Sequence, residues 1–128
     1  MTVRSRPLSP HLQVYRWTIT MAMSIAHRAT GIANYVGTVL LVLWLGAAAF
    51  GQEPLNAVNE IYASWFGQIV LFGYSWSLIH HMLGGIRHYV WDFILGMEAG
   101  QREALAWANV VASAVITVLI WTAFVWVA

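Results

Sequence analysis

Three long apolar stretches, roughly residues 21–50, 61–91 and 103–128, constrain this chain more than any other feature. A helix needs about 20 apolar residues to cross the core of a bilayer, and each stretch is long enough. Only 9% of the 128 residues are charged and 60% are hydrophobic, whereas soluble domains carry roughly 25% charged residues. We therefore predict an all-α transmembrane fold, with one domain of three spans and no separate soluble domain.

The segments between the spans are predicted to be loops. Residues 51–59 (GQEPLNAVN) form a turn-rich sequence, and residues 92–102 form a short second connection. The basic residues outside the spans are Arg4, Arg6, Arg16 and Arg102, of which the last lies in the second connection. By the positive-inside rule, the N-terminal segment 1–20 and the second loop are cytoplasmic and the first loop lies outside.

Composition excludes several classes of site. Cysteine is absent, so this chain holds no iron–sulfur cluster, cysteine-ligated zinc or covalently attached c-type haem. The basic residues are six dispersed arginines with no lysine, which does not predict nucleic-acid binding. The N-terminus has arginines and prolines where a secretory signal would be apolar, so we expect the first span to be retained and to direct insertion.

The second span carries a polar cluster, residues 74–92 (YSWSLIHHMLGGIRHYVWD), with three of the chain's five histidines. Polar groups at membrane depth are costly unless partnered, so this clustering indicates a function. On a helix, one stripe would contain Tyr74, Ser77, His81, Gly84 or Gly85, and His88. An imidazole with small residues beside it could accept a flat cofactor against the backbone. We interpret the stripe as half of a haem site with His81 as the metal ligand.

His80 is the competing ligand, but Trp76 places an indole one turn below it, which favours His81. Alternatively, these histidines only bond to neighbouring helices, as Asn109, Ser113 and Thr117 of the third span are expected to do. His27 should lie near the cytoplasmic end of the first span, and His81 roughly 14 Å inward from the end of the second. This difference in depth predicts that a second axial ligand comes from a partner subunit.

The cytoplasmic end of the cluster is basic. Arg87 lies six residues beyond His81, about 9 Å along a helix. Haem propionates could therefore meet Arg87 and His88, together with the His27–Arg28 pair of the first span. Asp92 is a further candidate at this end of the helix.

A second motif, residues 24–31 (SIAHRATG), begins the first span. Ser24 and Arg28 are four apart and so face the same way on a helix. A hydroxyl beside a permanently charged guanidinium suits a carbonyl that accepts electrons and then protons, and a quinone is such a ligand. The alternative is that Arg28 reaches to lipid headgroups and Ser24 bonds to its own backbone.

The order of these motifs resembles the cytochrome b556 membrane-anchor family of succinate dehydrogenase, respiratory complex II. The matching blocks are residues 6–11 (RPLSPH), 24–31 (SIAHRATG) and 81–92 (HMLGGIRHYVWD). The family reads there as Arg-Pro, then Ser-x-x-His-Arg-x-Ser/Thr-Gly, then His-x-x-x-Gly-Ile-Arg-His with an aspartate four residues later. Two residues depart from the family pattern: Ile94, where a small residue is common, and Tyr89, where an aliphatic residue is usual.

The resemblance implies a three-helix anchor that pairs with a second three-helix anchor subunit to form a bundle holding haem b. It implies His81 as the axial ligand from this chain and Ser24 and Arg28 as ubiquinone-site residues. It places His27, Arg28 and His88 near the haem propionates. The implied partners are the flavoprotein and iron–sulfur subunits and the second anchor, in the lipid bilayer.

Two other functions fit the same residues: the anchor of a quinol:fumarate reductase, and a cofactor-free three-helix scaffold or transport subunit. We expect a bacterial inner-membrane protein, the alternative being the mitochondrial inner membrane, with the electron transport of the tricarboxylic acid cycle and respiratory chain as its setting.

Overall fold

The computed structural model describes residues 15–127, with side chains as far as Ala123. The described part of the chain is entirely helical apart from its turns, with α1 (Ile19–Phe50), α2 (Gln52–Ala63), α3 (Trp65–Asp92) and α4 (Ala99–Val127). Three of these, α1, α3 and α4, are long and apolar enough to cross a membrane. The all-α transmembrane class is confirmed. The block at residues 6–11, with Arg4 and Arg6, lies outside the described residues.

The helices begin where short polar side chains can satisfy free backbone N–H groups. The Thr18 side chain accepts a hydrogen bond from the backbone of Met21 at the start of α1. Ser64 does the same for Gly67 at the start of α3. Between α3 and α4 the chain turns through Ile94 and Gly96, both with positive φ. The second connection is therefore shorter than predicted, because Ala99 already belongs to α4.

The predicted loop at residues 51–59 is wrong. Gly51, with φ of 119°, ends α1 and is followed at once by the short helix α2. Pro54 lies in the first turn of α2, where its missing N–H has no partner to lose, so proline does not prevent this helix. The Tyr62 hydroxyl donates to the carbonyl of Leu40 and ties α2 to α1. Burial raises the pKa of this hydroxyl.

The long helices pack antiparallel to the next one along the chain, α1 against α3 and α3 against α4. Along α1, His27 meets Gly84 of α3, Thr30 meets Ser77, and Gly37 meets Tyr74. Because the numbers rise on one helix as they fall on the other, α1 and α3 run in opposite directions. Across α3 and α4 the pairs are His80 with Ser113 and Phe72 with Trp121. The amino end of α1, the carboxyl end of α3 and the amino end of α4 therefore lie at the same end of the bundle.

The interior is polar and the surface is apolar. Among the described residues, the buried polar side chains are Thr30, Ser77, His80, Arg87, Asn109, Ser113 and Thr117, whereas the buried hydrophobic ones are Met23, Ala47 and Ala106. Leucines, valines, isoleucines and aromatic residues cover the outside. This inversion suits a lipid environment, where packing and interhelical hydrogen bonds hold helices together.

Candidate functional site

Two histidines from different helices form the centre of the site. The rings of His27 on α1 and His81 on α3 are stacked, with centroids 4.0 Å apart and planes 12° from parallel. His27 lies directly over Gly84, where a Cβ would overlap its ring. The edge of His88 approaches His27 at a centroid distance of 5.3 Å. A glycine one turn from His81 thus admits an imidazole of the neighbouring helix.

The His81 ring is held in one orientation by α1. Its Nδ1 lies 3.0 Å from the backbone carbonyl oxygen of His27, and because a carbonyl only accepts, Nδ1 carries the proton. The ring carbon Cε1 lies against Gly31, where a Cβ would be 3.1 Å away. The other nitrogen, Nε2, has no hydrogen bond to the described residues and is not among their fully buried polar atoms. It is therefore the free acceptor of this ring.

The stripe predicted from sequence exists, but it faces a helix instead of open space. Its described contacts are those of Tyr74 with Gly37, Ser77 with Thr30 and Asn34, His81 with His27, and Gly84 with His27. A flat cofactor cannot lie against these residues within this chain, because α1 already covers them. Gly85 and His88 stay open, since a Cβ at position 85 would have no described atom within 4 Å and the His88 side chain is exposed.

The predicted difference in depth between His27 and His81 is wrong. Since α1 begins at Ile19, His27 already lies about 12 Å along the helix, and it stacks on His81. The two imidazoles nevertheless cannot be the two axial ligands of one iron. Their rings lie face to face with centroids 4.0 Å apart, which leaves no room for a metal bound between them. The second ligand must still come from elsewhere if His81 ligates haem.

His80, the competing ligand, points to the opposite helix. Its side chain is 2% exposed, and its Nδ1 lies 3.1 Å from the Ser113 hydroxyl and 3.4 Å from the Asn109 amide nitrogen of α4. The Trp76 ring covers it at a centroid distance of 5.0 Å. The predicted interhelical bonds of Asn109 and Ser113 are confirmed. Thr117 instead donates to Ser113 within its own helix.

Arg87 is a buried cation at the same end of the bundle. Its side chain is 5% exposed and lies over the Trp91 ring, 5.0 Å from the ring centroid. Its Nε and one terminal nitrogen are buried without a hydrogen-bond partner among the described residues, as is Nε2 of His27. A buried unpaired cation is costly. These atoms therefore favour an anionic or acceptor group that the described residues do not supply.

Ser24 and Arg28 lie side by side on α1, both exposed. Arg28 Nε donates to the backbone carbonyl of Ser24 at 3.2 Å, which fixes the guanidinium beside the serine. Ser24 also lines a cavity of about 320 Å³, whereas Arg28 does not. The cavity is bounded by Thr20, Ser24, Arg87, His88, Trp91, Met97 and Arg102. Its walls present hydroxyl and cationic groups and no carboxylate.

Among the described residues, neither Asp92 nor a group of several metal-ligating side chains takes part in the contacts around His81. Asp92 is the last residue of α3 and is exposed. Within the described part of the chain, no three His, Cys, Asp or Glu side chains are grouped to hold a metal ion.

The sequence interpretation gave no role to Thr30 or Gly31, although both belong to the 24–31 motif. Thr30 is 5% exposed, and its oxygen lies 3.4 Å from His81 Nδ1. The signal that could have identified them is spacing, because they lie three and four residues after His27 and so share its face of α1.

The packing of His27 on Gly84 leads to a first test. A Cβ at position 84 overlaps the His27 ring, whereas one at position 85 meets nothing within 4 Å. We expect Gly84→Ala to lower stability by about 1–3 kcal/mol through overpacking. Gly85→Ala should be neutral or stabilising by up to about 1 kcal/mol, because alanine favours helix. Thermal unfolding in detergent measures both, and equal loss in the two variants would contradict this contact.

Comparison with known proteins gives a consistent result. Residues 2–121 match a family described as the succinate dehydrogenase/fumarate reductase transmembrane subunit. The chain is 40% identical over 115 residues to the succinate dehydrogenase cytochrome b556 subunit of Paracoccus denitrificans, covering 90% of this chain and 88% of that protein. The subunit of the same name from Rickettsia prowazekii is 34% identical over 116 residues, covering 91% and 90%.

A mitochondrial relative is also similar. The succinate dehydrogenase cytochrome b560 subunit of Sus scrofa is 37% identical over 101 residues, covering 76% of this chain and 59% of that protein. The resemblance seen in the sequence motifs is thereby confirmed at the level of the family.

Proposed function

The chain belongs to the succinate dehydrogenase/fumarate reductase transmembrane subunit family, and from this premise we propose that it is the haem b-binding membrane anchor of a succinate dehydrogenase. In this role it forms part of the site where ubiquinone is reduced. Succinate oxidation belongs to a partner flavoprotein subunit, and electrons come through a partner iron–sulfur subunit. The absence of cysteine from this chain agrees with that division.

One observation carries the haem proposal: His81 Nδ1 donates to the His27 carbonyl and leaves Nε2 free. Histidines that bind metals characteristically donate their second ring nitrogen to a carbonyl, which sets the tautomer and raises the basicity of the ligating atom. His80 Nε2 also has no hydrogen bond to the described residues, but it is fully buried because the ring packs between Trp76 and α4, whereas Nε2 of His81 is not fully buried. His81 is therefore the axial ligand we assign to this chain.

The surrounding groups suit the carboxylates of a haem. Unpartnered nitrogens of Arg87 and His27 are buried at the end of the bundle near His88. Propionates would satisfy them by charge-assisted hydrogen bonds. Arg28, one residue from His27, adds a further cation. When bound, haem b supplies a one-electron carrier, and the part of this chain is to ligate it, orient the ligand and compensate the charge of its propionates.

The second axial ligand is assigned to the partner anchor subunit. The stacked arrangement of His27 and His81 prevents both from ligating one iron, and the described part of α4 contains no histidine. The broad apolar surface of the three long helices also needs cover by lipid or by another helical subunit. We therefore propose a second anchor with which this chain shares the haem.

Ser24 and Arg28 are the quinone residues in this proposal. The Ser24 hydroxyl donates to a carbonyl oxygen of ubiquinone, and the Arg28 guanidinium stabilises the negative charge that develops there on reduction. Ubiquinone takes up two electrons and two protons to become ubiquinol. Succinate releases two electrons and two protons as it becomes fumarate on the flavoprotein, and the iron–sulfur subunit delivers the electrons. Protons reach the quinone from the aqueous phase at this end of the bundle.

The orientation and location follow as proposals. Arg16 and Arg102 lie at the end of the bundle where α1 begins and α4 begins, which by the positive-inside rule faces the cytoplasm. The protein is a membrane protein by its three apolar helices and its family. We place it in a bacterial inner membrane.

A visible spectrum of the purified complex tests the proposal. We expect a reduced-minus-oxidised difference spectrum with a Soret band and a b-type α-band, at one haem per flavin. A complex with only flavin and iron–sulfur absorption would contradict haem binding and favour a cofactor-free scaffold.

The family includes fumarate reductases, so the direction of the reaction needs its own test. A quinol:fumarate reductase would use the same parts with electrons flowing from quinol. The quinone that co-purifies discriminates the two, because ubiquinone has the higher potential needed to accept electrons from succinate. Co-purification of a low-potential quinone would favour fumarate reduction.

A further inference from the structure

The Thr30 side chain faces the nitrogen of His81 that does not bind metal in the function proposed above, on which this inference rests. Thr30 Oγ1 lies 3.4 Å from His81 Nδ1, and the His27 carbonyl oxygen lies 3.0 Å from the same atom. All three groups are partly or fully buried at the contact of α1 with α3. The Nδ1 proton thus has two oxygen atoms of one α1 turn within reach.

The direction of the Thr30 hydrogen bonds can be assigned. Its hydroxyl has a single proton, and the α1 carbonyl oxygens of Ala26 and His27 lie 2.9 Å and 3.0 Å from Oγ1. Because carbonyls only accept, the hydroxyl proton is donated within α1, and a lone pair of Oγ1 is left toward His81. The Ser77 hydroxyl, one turn before His81 on α3, lies 3.2 Å from the Thr30 backbone carbonyl oxygen and 2.7 Å from Asn34 Oδ1 of α1. Thr30 therefore contacts α3 through both its side chain and its backbone carbonyl.

We propose that Thr30 is a positioning residue for the haem ligand, its hydroxyl oxygen serving with the His27 carbonyl as a shared acceptor for the Nδ1 proton of His81. Acceptors on the distal nitrogen of a metal-bound imidazole increase the electron density on the ligating nitrogen. A more electron-rich ligand stabilises oxidised iron over reduced iron. Thr30 consequently lowers the midpoint potential of the haem and fixes the rotation of the His81 ring.

The test is Thr30→Val in the assembled complex, with the haem potential and the ferric electron paramagnetic resonance spectrum as readouts. Valine keeps the branched shape but has no lone pair, so we expect a higher midpoint potential and shifted low-spin g-values. Thr30→Ser keeps the hydroxyl and should restore both. Thr38→Val is the matched control, because the Thr38 hydroxyl donates only to Asn34 of its own helix and is exposed.

Two results would overturn the proposal. An unchanged potential and spectrum in Thr30→Val would overturn it. A lower potential would also overturn it, since the hydroxyl would then act mainly by competing for the His27 carbonyl. If Thr30→Val does not assemble, Thr30→Ala against Thr30→Ser asks the same question with less bulk. Failure of the proposed function is distinguishable, because the unaltered complex would then lack the b-type band or would keep it in His81→Ala.

Discussion

His81→Ala should abolish the b-type absorption of the assembled complex, or reduce it to a weakly bound high-spin remnant. The ring nitrogen Nε2 of His81 is free while Nδ1 donates to the His27 carbonyl, and no other described histidine combines those two features. Removing the His81 ring removes the one nitrogen of this chain that we assign to the iron. The measurement is the haem-to-flavin ratio with the reduced-minus-oxidised spectrum.

His80→Ala is the matched control, one residue away on the same helix. His80 bonds to Ser113 and Asn109 of α4, so its loss should reduce stability by about 1–3 kcal/mol, because buried polar groups lose their partner. The thermal midpoint should fall while the spectrum remains that of a low-spin b haem. A normal spectrum from the His81 variant together with a lost one from the His80 variant would reverse the assignment.

Arg28→Ala should lower ubiquinone reductase activity by about 10²–10³-fold, the usual loss when one preorganised donor to a developing negative charge is removed. Arg28 is fixed beside Ser24 by the bond of its Nε to the Ser24 carbonyl, and its terminal nitrogens have no hydrogen bond to the described residues. Succinate oxidation with an artificial acceptor should continue at the normal rate, because that chemistry belongs to the soluble subunits. Both rates are measured on the same membrane preparation.

Arg16→Ala provides the control for general charge effects, since Arg16 is another exposed arginine at the same end of the bundle. It should leave quinone turnover unchanged. Arg28→Lys should recover part of the activity, because the charge returns without the planar pair of donors. Full quinone turnover in Arg28→Ala would remove this residue from the site and favour the alternative in which it only reaches lipid headgroups.

The sequence predicted the helices better than their connections. Long apolar runs can be satisfied only by helices in lipid, so α1, α3 and α4 follow from composition alone. Residues 51–59 were predicted as a loop because Gly51 and Pro54 usually mark turns. The structure has helix α2 there, since proline in a first turn loses no hydrogen bond.

For the candidate site, too, the sequence predicted local features and missed contacts between helices. Helical periodicity predicted from the sequence alone that His80 and His81 face different ways and that Ser24 and Arg28 face the same way. Periodicity could not predict how far one helix is shifted along its axis relative to its neighbour. It fixes only the angle at which a residue projects from its own helix. The predicted separation of His27 and His81 failed for that reason.

Residue types and spacing thus determined that this protein is a helical membrane subunit, and they predicted a histidine-centred candidate site with an adjacent serine–arginine pair. Tertiary structure alone decided that α1 covers the histidine stripe, that Gly84 admits the His27 ring, and that the His27 carbonyl and Thr30 hydroxyl approach His81. The physical reason is that interhelical contacts depend on small residues that allow two backbones close together, and their partners lie some fifty positions away in the chain.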